Sequence, residues 1–231
     1  MTKIQVELQK VYGTDRDIAE AAWTSSTELS IKEIKNDMDV LRVINMLADK
    51  KHSVPFESVI FRFWMRLPIA IDRQIMTHRI ASHSGMSGRY RTMPDDFLEI
   101  PQDVLDILTS KLNQMGDIDY KTEYEQLCYK ANNRYQVGIK ELKMARDSGR
   151  ITSDEFKRLR EFMRGMLPQH NMTERVTIMN LRSWANFYRL RSKSDAQKEI
   201  QDIANSMCDQ IMISNACPIA IKALRRNNWQ I

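Results

Sequence analysis

The 231-residue sequence contains few of the residues that define several common protein classes. Its three cysteines, Cys128, Cys208 and Cys217, lie far apart and lack the spacing of a metal site. An odd, sparse set of this kind predicts buried, reduced thiols in a reducing compartment. The four histidines form no HxxxH or HExxH pair, so we expect no metal site.

Long apolar runs are also missing. No stretch approaches the roughly 20 apolar residues of a membrane span, and the N-terminal residues show no signal-peptide pattern. We therefore expect no membrane partner and a cytoplasmic location, which would be the host cytoplasm if the source is viral. A Gly-x-Gly-x-x-Gly fingerprint is absent as well, which argues against a Rossmann nucleotide-binding domain.

The charge that is present is mildly basic. The formal net charge is +5 and the pI is about 9.1, with the basic residues spread along the chain. No basic run carries interleaved aromatic residues, so we expect no nucleic-acid partner. A small ligand rich in phosphate is compatible with the same bias. The 42% of hydrophobic residues fits a folded globular chain.

The spacing of apolar residues predicts the secondary structure. Alternation of apolar and polar residues predicts three strands, over Lys3–Tyr12, Glu57–Leu67 and Arg175–Leu181. In the second strand one face carries Val59, Phe61, Phe63 and Met65. In the third strand the alternating residues are Val176, Ile178 and Asn180. Helical spacing predicts helices over Arg16–Trp23, Ile31–Lys50, Ile69–Thr77, Asp103–Gln114, Tyr120–Ser148, Ser153–Met166, Ser183–Leu190 and Ala196–Ser214, and a short helix after Cys217-Pro218. The pattern predicts one α+β domain over residues 1–231, with helices around a small antiparallel sheet.

The segment from Thr77 to Tyr90 is the most informative stretch. It is a polar loop with arginines, serines and glycines, and it follows the apolar segment Val59–Met76. Arginine binds phosphate through a bidentate fork, and glycine lets backbone amides approach an anion. The loop therefore indicates a site for a phosphorylated ligand.

The same loop resembles the signature of the flavin-dependent thymidylate synthases, which is Arg-His-Arg, seven residues and then Ser. Here the signature stands as Thr77-His78-Arg79, seven residues and Ser87. Further similarities follow the family's order along nearly the whole chain, at His52-Ser53-Val54-Pro55-Phe56-Glu57, Arg73-Gln74, Ser87-Gly88-Arg89-Tyr90, Leu167-Pro168, Asn180-Leu181-Arg182-Ser183, Asn186-Phe187 and Leu190-Arg191.

The resemblance implies the fold and the activity of that family. The expected reaction is C5-methylation of dUMP to dTMP, with FAD as cofactor and with methylenetetrahydrofolate and NADPH as co-substrates. The expected partner is thus a pyrimidine nucleoside monophosphate. The resemblance also implies a homotetramer in which each active site is assembled from more than one subunit.

The resemblance further implies roles for particular residues. Arg191 would be catalytic, because a cation near the base can stabilise the charge that develops on N3, O2 or O4. Substrate-binding residues would be Gln74, Gly85, Met86, Ser87, Gly88, Arg89, Arg164 and Arg191. Flavin-binding residues would be Val54, Glu57, Thr77, His78, Arg79, Ile80, Asn180, Leu181, Arg182 and Asn186. The alternatives are an exposed helix-end arginine for Arg191 and for Arg164, and capping of helices or strands for the two asparagines.

Three positions depart from the family pattern. Thr77 replaces the first arginine of the signature, Gly85 replaces a glutamate, and Asp195 stands where histidine is common. A widened pocket beside Gly85, with His83 partly filling it, leaves two alternatives open. The first is methylation or hydroxymethylation of another nucleotide, such as dCMP or UMP. The second is a nucleotide-binding homologue that has lost catalysis.

Overall fold

The computed structural model describes residues 1–25, 35–112, 118–227 and 229. Four strands form one antiparallel sheet in the order β1-β2-β4-β3. The strands are β1 (Gln5–Tyr12), β2 (Ile60–Pro68), β3 (Ser82–Gly85) and β4 (Met172–Asn180). The rest of the described chain is mostly helical, so the predicted α+β class with a small antiparallel sheet is confirmed.

The helices follow the prediction in number and order along most of the described chain. They are α1 (Asp15–Trp23), α2 (Asp37–Asp49), α3 (Ile69–Met76), α4 (Gln102–Ile107), α5 (Tyr120–Asp147), α6 (Ser153–Met163), α7 (Leu181–Arg191), α8 (Lys198–Ser214) and α9 (Pro218–Arg226). Short 3-10 helices span Val54–Ser58 and Arg164–Met166, and a π-helical turn spans Leu108–Leu112. Among the residues that the structure describes, none of the helices has the length and apolar character of a membrane span.

The chain divides into two compact units. The first unit contains Met1–Ile4, Arg66–Arg73 and Gly85–Glu174, and the second contains Gln5–Met65, Gln74–Ser84 and Arg175–Ile231. In the first unit, Tyr135 of α5 is buried and its hydroxyl accepts a hydrogen bond from the Met93 N–H at 3.1 Å. In the second unit, Gln210 of α8 bonds to the Leu8 N–H and the Val6 carbonyl of β1 at 2.6 and 2.9 Å. These contacts fix α5 and α8 within their own units.

Helix caps set several boundaries that apolar spacing placed differently. Asn36 accepts hydrogen bonds from the N–H groups of Met38 and Asp39, so α2 begins at Asp37, within the predicted helix Ile31–Lys50. Residues 31–34 lie outside the described residues. The predicted helix Asp103–Gln114 is α-helical only to Ile107, and its last two residues also lie outside the described range.

Strand β2 confirms the predicted face but not the predicted ends. Phe61, Phe63 and Met65 are buried, as their alternation indicates. The strand begins at Ile60 because Val54–Ser58 forms a 3-10 helix with a proline in its first turn. Pro68 is the last residue of β2, one residue beyond the predicted end at Leu67.

Strand β4 shows the opposite face to the one that its apolar residues suggested. Arg175, Thr177 and Met179 are buried, whereas Ile178 is exposed. The hydroxyl of Thr177 lies 3.2 Å from Nδ1 of His83 in the neighbouring strand β3, which gives the buried hydroxyl a partner. The pattern therefore predicted a strand correctly but not the side chains that it buries.

Candidate active site

A cleft of about 720 Å³ lies in the second unit. Its walls come from the turn between α3 and β3, from α7, and from the segment before the first 3-10 helix. Seven lining residues belong to the predicted site: Thr77, His78, Arg79, Ile80, Arg182, Asn186 and Arg191. The other seven lining residues were not among the predicted site residues: Lys51, Ser53, Ser183, Ala185, Arg189, Leu190 and Trp229.

The orientation of α7 depends on its first residues. Asn180 caps the helix, since its Oδ1 accepts a hydrogen bond from the Ser183 N–H at 2.8 Å. The next residue, Leu181, is fully buried and its N–H donates to the Val59 carbonyl at 2.8 Å. Neither Asn180 nor Leu181 lines the cleft, although both were predicted to contact flavin. They hold the helix that presents Arg182, Asn186 and Arg191.

Two further predicted flavin contacts lie outside the cleft lining. Val54 is exposed at the start of its 3-10 helix. Glu57 lies in the same helix, and its carboxylate accepts a hydrogen bond from Arg182 at 2.6 Å. Glu57 thus acts on the cleft through Arg182, because the ion pair fixes one of the lining cations.

The cleft is strongly cationic. Five basic side chains line it, and the lining residues in the described part of the chain include no carboxylate: the basic residues are Lys51, Arg79, Arg182, Arg189 and Arg191. Ser183 adds a buried hydroxyl oxygen that has no hydrogen-bond partner among the residues that the structure describes. Buried polar atoms are normally satisfied, so an unpartnered hydroxyl in a cationic cleft indicates a place for a polar, anionic ligand.

Arg191 is held in the cleft by neutral groups. Its Nε donates to Nε2 of His78 at 3.0 Å, and one terminal nitrogen donates to the hydroxyl of Thr77 at 3.0 Å and to the Gln74 carbonyl at 3.3 Å. The Thr77 hydroxyl itself donates to the Gln74 carbonyl at 2.7 Å. Arg191 makes no ion pair in the described part of the chain, so its positive charge is positioned but not neutralised.

His78 is a neutral acceptor at the base of this arrangement. Burial and, in smaller measure, the nearby Arg191 and His83 lower the pKa of His78 to about 4. Its ring meets Phe187 of α7 edge to face, with the centroids 4.8 Å apart. His83 Nε2 lies 3.2 Å from the His78 carbonyl, so that carbonyl and Thr177 together hold the His83 ring.

The predicted nucleotide-binding residues divide between the two units. In the first unit, Gly88 and Arg164 meet closely, because a Cβ on Gly88 would lie 2.4 Å from Cδ of Arg164. Arg89 pairs with Glu161 at 2.7 Å, and its N–H lies 3.4 Å from the Ser87 hydroxyl, which accepts the hydrogen bond. The Gly88 position thus lets the Arg164 side chain pass beside the loop.

The remaining predicted nucleotide contacts have simpler surroundings. The Met86 N–H donates to the Glu174 carbonyl at 2.8 Å, and Gly85 is exposed at the end of β3. In the second unit, Gln74 donates to the side chain of Gln197 at 2.6 Å.

Two departures from the family pattern have different surroundings. Thr77 lies in the cleft and contacts Arg191, whereas Asp195 is exposed and does not line the cleft. Across the described ranges, His, Cys, Asp and Glu side chains form no group of three or more that could hold a metal ion.

Comparison with known proteins supports the same family. Residues 7–219 match the family described as "Thymidylate synthase complementing protein". A flavin-dependent thymidylate synthase of Kosmotoga olearia is 29% identical over 94% of this chain and 88% of its own length. A flavin-dependent thymidylate synthase of Rickettsia typhi is 32% identical over 85% of this chain and 68% of its own length.

A solved structure shows the same fold. The UMP/dUMP methylase PolB from Streptomyces cacaoi, bound with 5-Br dUMP, superimposes with a TM-score of 0.67. The two chains are 25% identical, and the alignment covers 97% of this chain and 96% of the methylase.

The family match covers most of the chain, and the cleft carries Thr77, His78 and Arg79 of the signature. The chain belongs to the thymidylate synthase complementing protein family, whose curated relatives are flavin-dependent thymidylate synthases. The prediction of an enzyme of this family is confirmed.

Proposed function

We propose that the protein methylates C5 of dUMP to give dTMP, with FAD as cofactor, methylenetetrahydrofolate as carbon donor and NADPH as reductant. One observation carries the proposal: in a chain of this family, Arg191 is held, unneutralised, in a cationic cleft by Thr77 and His78. A basic surface without these hydrogen bonds would not hold the guanidinium of one arginine in a fixed orientation.

The cleft has the donor set that a flavin dinucleotide requires. Arg79 and Lys51 supply positive charge for a pyrophosphate, Arg182 supplies a guanidinium that Glu57 already holds in place, and Ser183 supplies an unpartnered hydroxyl. Bound FAD would supply the hydride relay between the reductant and the one-carbon unit. The cleft therefore fits FAD in its positive charge and in the unpartnered hydroxyl of Ser183, and both features are observed in this chain itself.

Arg191 has the properties of the group that stabilises the transition state. When C5 of a pyrimidine attacks an electrophilic carbon, negative charge develops on the ring, at N3, O2 or O4. A preorganised cation close to the ring lowers the energy of that state. The neutral partners of Arg191 leave its charge available, whereas a carboxylate partner would offset it.

Residues of the signature loop and of the segment after α6 would bind the nucleotide phosphate. Ser87, Gly88 and Arg164 offer a hydroxyl, a backbone N–H and a guanidinium, and the close approach of Gly88 to Arg164 brings two of these groups together. Arg89 would exchange Glu161 for phosphate as its partner. We also propose the homotetramer with shared active sites that the resemblance implies.

The test is an anaerobic reduction of the purified protein. After saturation with FAD, NADPH is added with and without dUMP, and the flavin absorbance is followed. We expect bleaching that depends on dUMP and, once methylenetetrahydrofolate is added, formation of dTMP. A protein that takes up no FAD, or that gives no dTMP from dUMP, would contradict the proposal.

UMP is a second candidate substrate. A specific observation favours it, since a 25% identical protein with the same fold is described as a UMP/dUMP methylase. In addition, Gly85 removes a carboxylate that the family usually has in the loop. Parallel assays with dUMP, UMP and dCMP, with mass analysis of the product base, separate methylation from hydroxymethylation and identify the sugar. Product from dUMP alone would exclude this candidate.

A further inference from the structure

A second cleft lies in the first unit, where α5 meets α6. Its volume is about 440 Å³. The charged and hydroxyl groups in its wall belong to Arg89, Tyr90, Arg146, Ser153, Lys157, Arg160 and Glu161. Four cations therefore stand against one carboxylate, and none of the four except Arg89 belongs to the predicted active site.

Arg160 is the unusual member of this group. It is 9% exposed, and its Nε is buried without a hydrogen-bond partner. Among the described residues it also makes no ion pair. A buried guanidinium without a partner is unfavourable, and buried charges are normally paired. The position of Arg160 in the cleft wall indicates that its partner comes from solution.

The neighbouring charges already have partners. Glu161 pairs with Arg89 at 2.7 Å and lies 3.9 Å from Arg158. Lys157 pairs with Asp154 at 3.0 Å. Glu161 is therefore paired with other cations. Of the four cations in the cleft wall, Arg160 is the one that has no anionic partner within the described ranges.

Arg146 is similarly committed. It donates to Asp147 at 2.8 and 3.0 Å, and its guanidinium stacks on the ring of Phe156 at 4.6 Å. Phe156 is itself buried at the wall of the cleft, beside Arg160 along α6. The stacked ring and guanidinium therefore form part of the cleft wall and add positive charge to it.

We propose that this cleft binds the oxyanion of a small acidic ligand, either phosphate or carboxylate, with Arg160 as its main partner. A guanidinium binds both groups through two parallel hydrogen bonds. Ser153, in the first turn of α6, adds a hydroxyl and lies where a helix favours an anion. The site is additional to the proposed methylation, and its test needs neither flavin nor nucleotide.

The experiment is isothermal titration of the full chain with sodium pyrophosphate and, separately, with sodium citrate, at constant ionic strength. We expect saturable binding of at least one of them, and the tighter one identifies phosphate or carboxylate as the ligand group. Arg160→Gln should weaken it by at least about tenfold, since one charge-assisted bidentate contact is lost. The matched control is Arg158→Gln, which removes an exposed cation from the same helix and should change affinity less than about twofold.

If Arg160→Gln folds poorly, a conservative variant and an NMR signal of the wild type still test the proposal. Arg160→Lys keeps the charge and loses the planar fork, so we expect an intermediate affinity. In the wild type, the Nε–H resonance of Arg160 should shift during the titration. Failure of both anions to bind, or equal weakening by Arg160→Gln and Arg158→Gln, would overturn the proposal, because only net charge would then matter.

Discussion

Arg191 donates a hydrogen bond from Nε to Nε2 of His78 across 3.0 Å. A guanidinium stays protonated and has no acceptor, so the imidazole nitrogen that faces it must be unprotonated. The proton of neutral His78 is therefore on Nδ1. Two residues 113 positions apart in the sequence thus fix each other: the arginine selects the tautomer, and the histidine orients the arginine.

This relationship predicts a pH dependence of stability. Burial, together with Arg191 and His83, lowers the pKa of folded His78 to about 4, below its ordinary value of 6.5. Between these two values, the unfolded chain binds a proton that the folded chain does not bind. The His78 contribution to the free energy of unfolding is therefore fully present above about pH 6.5 and falls as the pH drops towards 4.

The measurement compares wild type with His78→Gln, whose amide oxygen can still accept from Arg191 but does not titrate. Denaturant unfolding between pH 7 and pH 4 should show a steeper loss of stability for the wild type. Nitrogen-15 spectra should place the wild-type His78 proton on Nδ1 throughout most of this range. A His78 midpoint near 6.5 would contradict the prediction.

Thr77 is predicted to position Arg191. Its hydroxyl accepts from Arg191 at 3.0 Å and donates to the Gln74 carbonyl at 2.7 Å. Thr77→Val keeps the shape and removes both hydrogen bonds, so we expect kcat to fall about tenfold, the cost of roughly one hydrogen bond to a charged group, with a small change in KM. Thr77→Ser should retain most of the rate.

Both Thr77 variants need a readout besides turnover. The His78 titration serves this purpose, because a displaced Arg191 would let the pKa of His78 rise towards its ordinary value. If Thr77→Val had the kcat of the wild type and an unchanged His78 titration, the prediction that Thr77 positions Arg191 would be wrong.

The sequence predicted the elements better than the roles of single residues. Alternation found β2, and the signature spacing found Thr77, His78 and Arg79, all of which line the cleft. The role of Asn180 was open between ligand contact and capping, and in the structure its side chain caps α7. A capping residue can be recognised from the local sequence. Whether such a residue also contacts a ligand depends on the orientation of the helix in the fold, which the local sequence does not determine.

Other lining residues could not be found from spacing. Lys51 and Trp229 are separated by most of the chain, and neither belongs to a motif. Arg160 is likewise ordinary in sequence, since a basic residue on a helix is usually exposed. Only the packing of α5 against α6 shows that Arg160 is buried and that its Nε has no partner in the described part of the chain.

Arg191 is the residue on which the proposed reaction depends most. Arg191→Gln should lower kcat by about 10² to 10³, as removal of one preorganised charge contact does elsewhere, while FAD absorbance is retained. Lys193→Gln is the matched control, because it removes an exposed cation two residues away. Near-normal turnover of Arg191→Gln would exclude the catalytic assignment, and loss of flavin would show that Arg191 serves the cofactor instead.

Gly13 is predicted to be required for the turn between β1 and α1. Its φ is +86°, and an added Cβ would lie 2.6 Å from the Ser58 carbonyl oxygen, which is backbone and has little freedom to move. Gly13→Ala should therefore lower the free energy of unfolding by about 1 to 3 kcal/mol. The matched control is Gly149→Ala, where φ is +75° but no atom lies within 4 Å. It carries the conformational cost without the clash, so denaturant unfolding should show a smaller loss for Gly149→Ala, and equal losses would show that the contact with Ser58 contributes nothing.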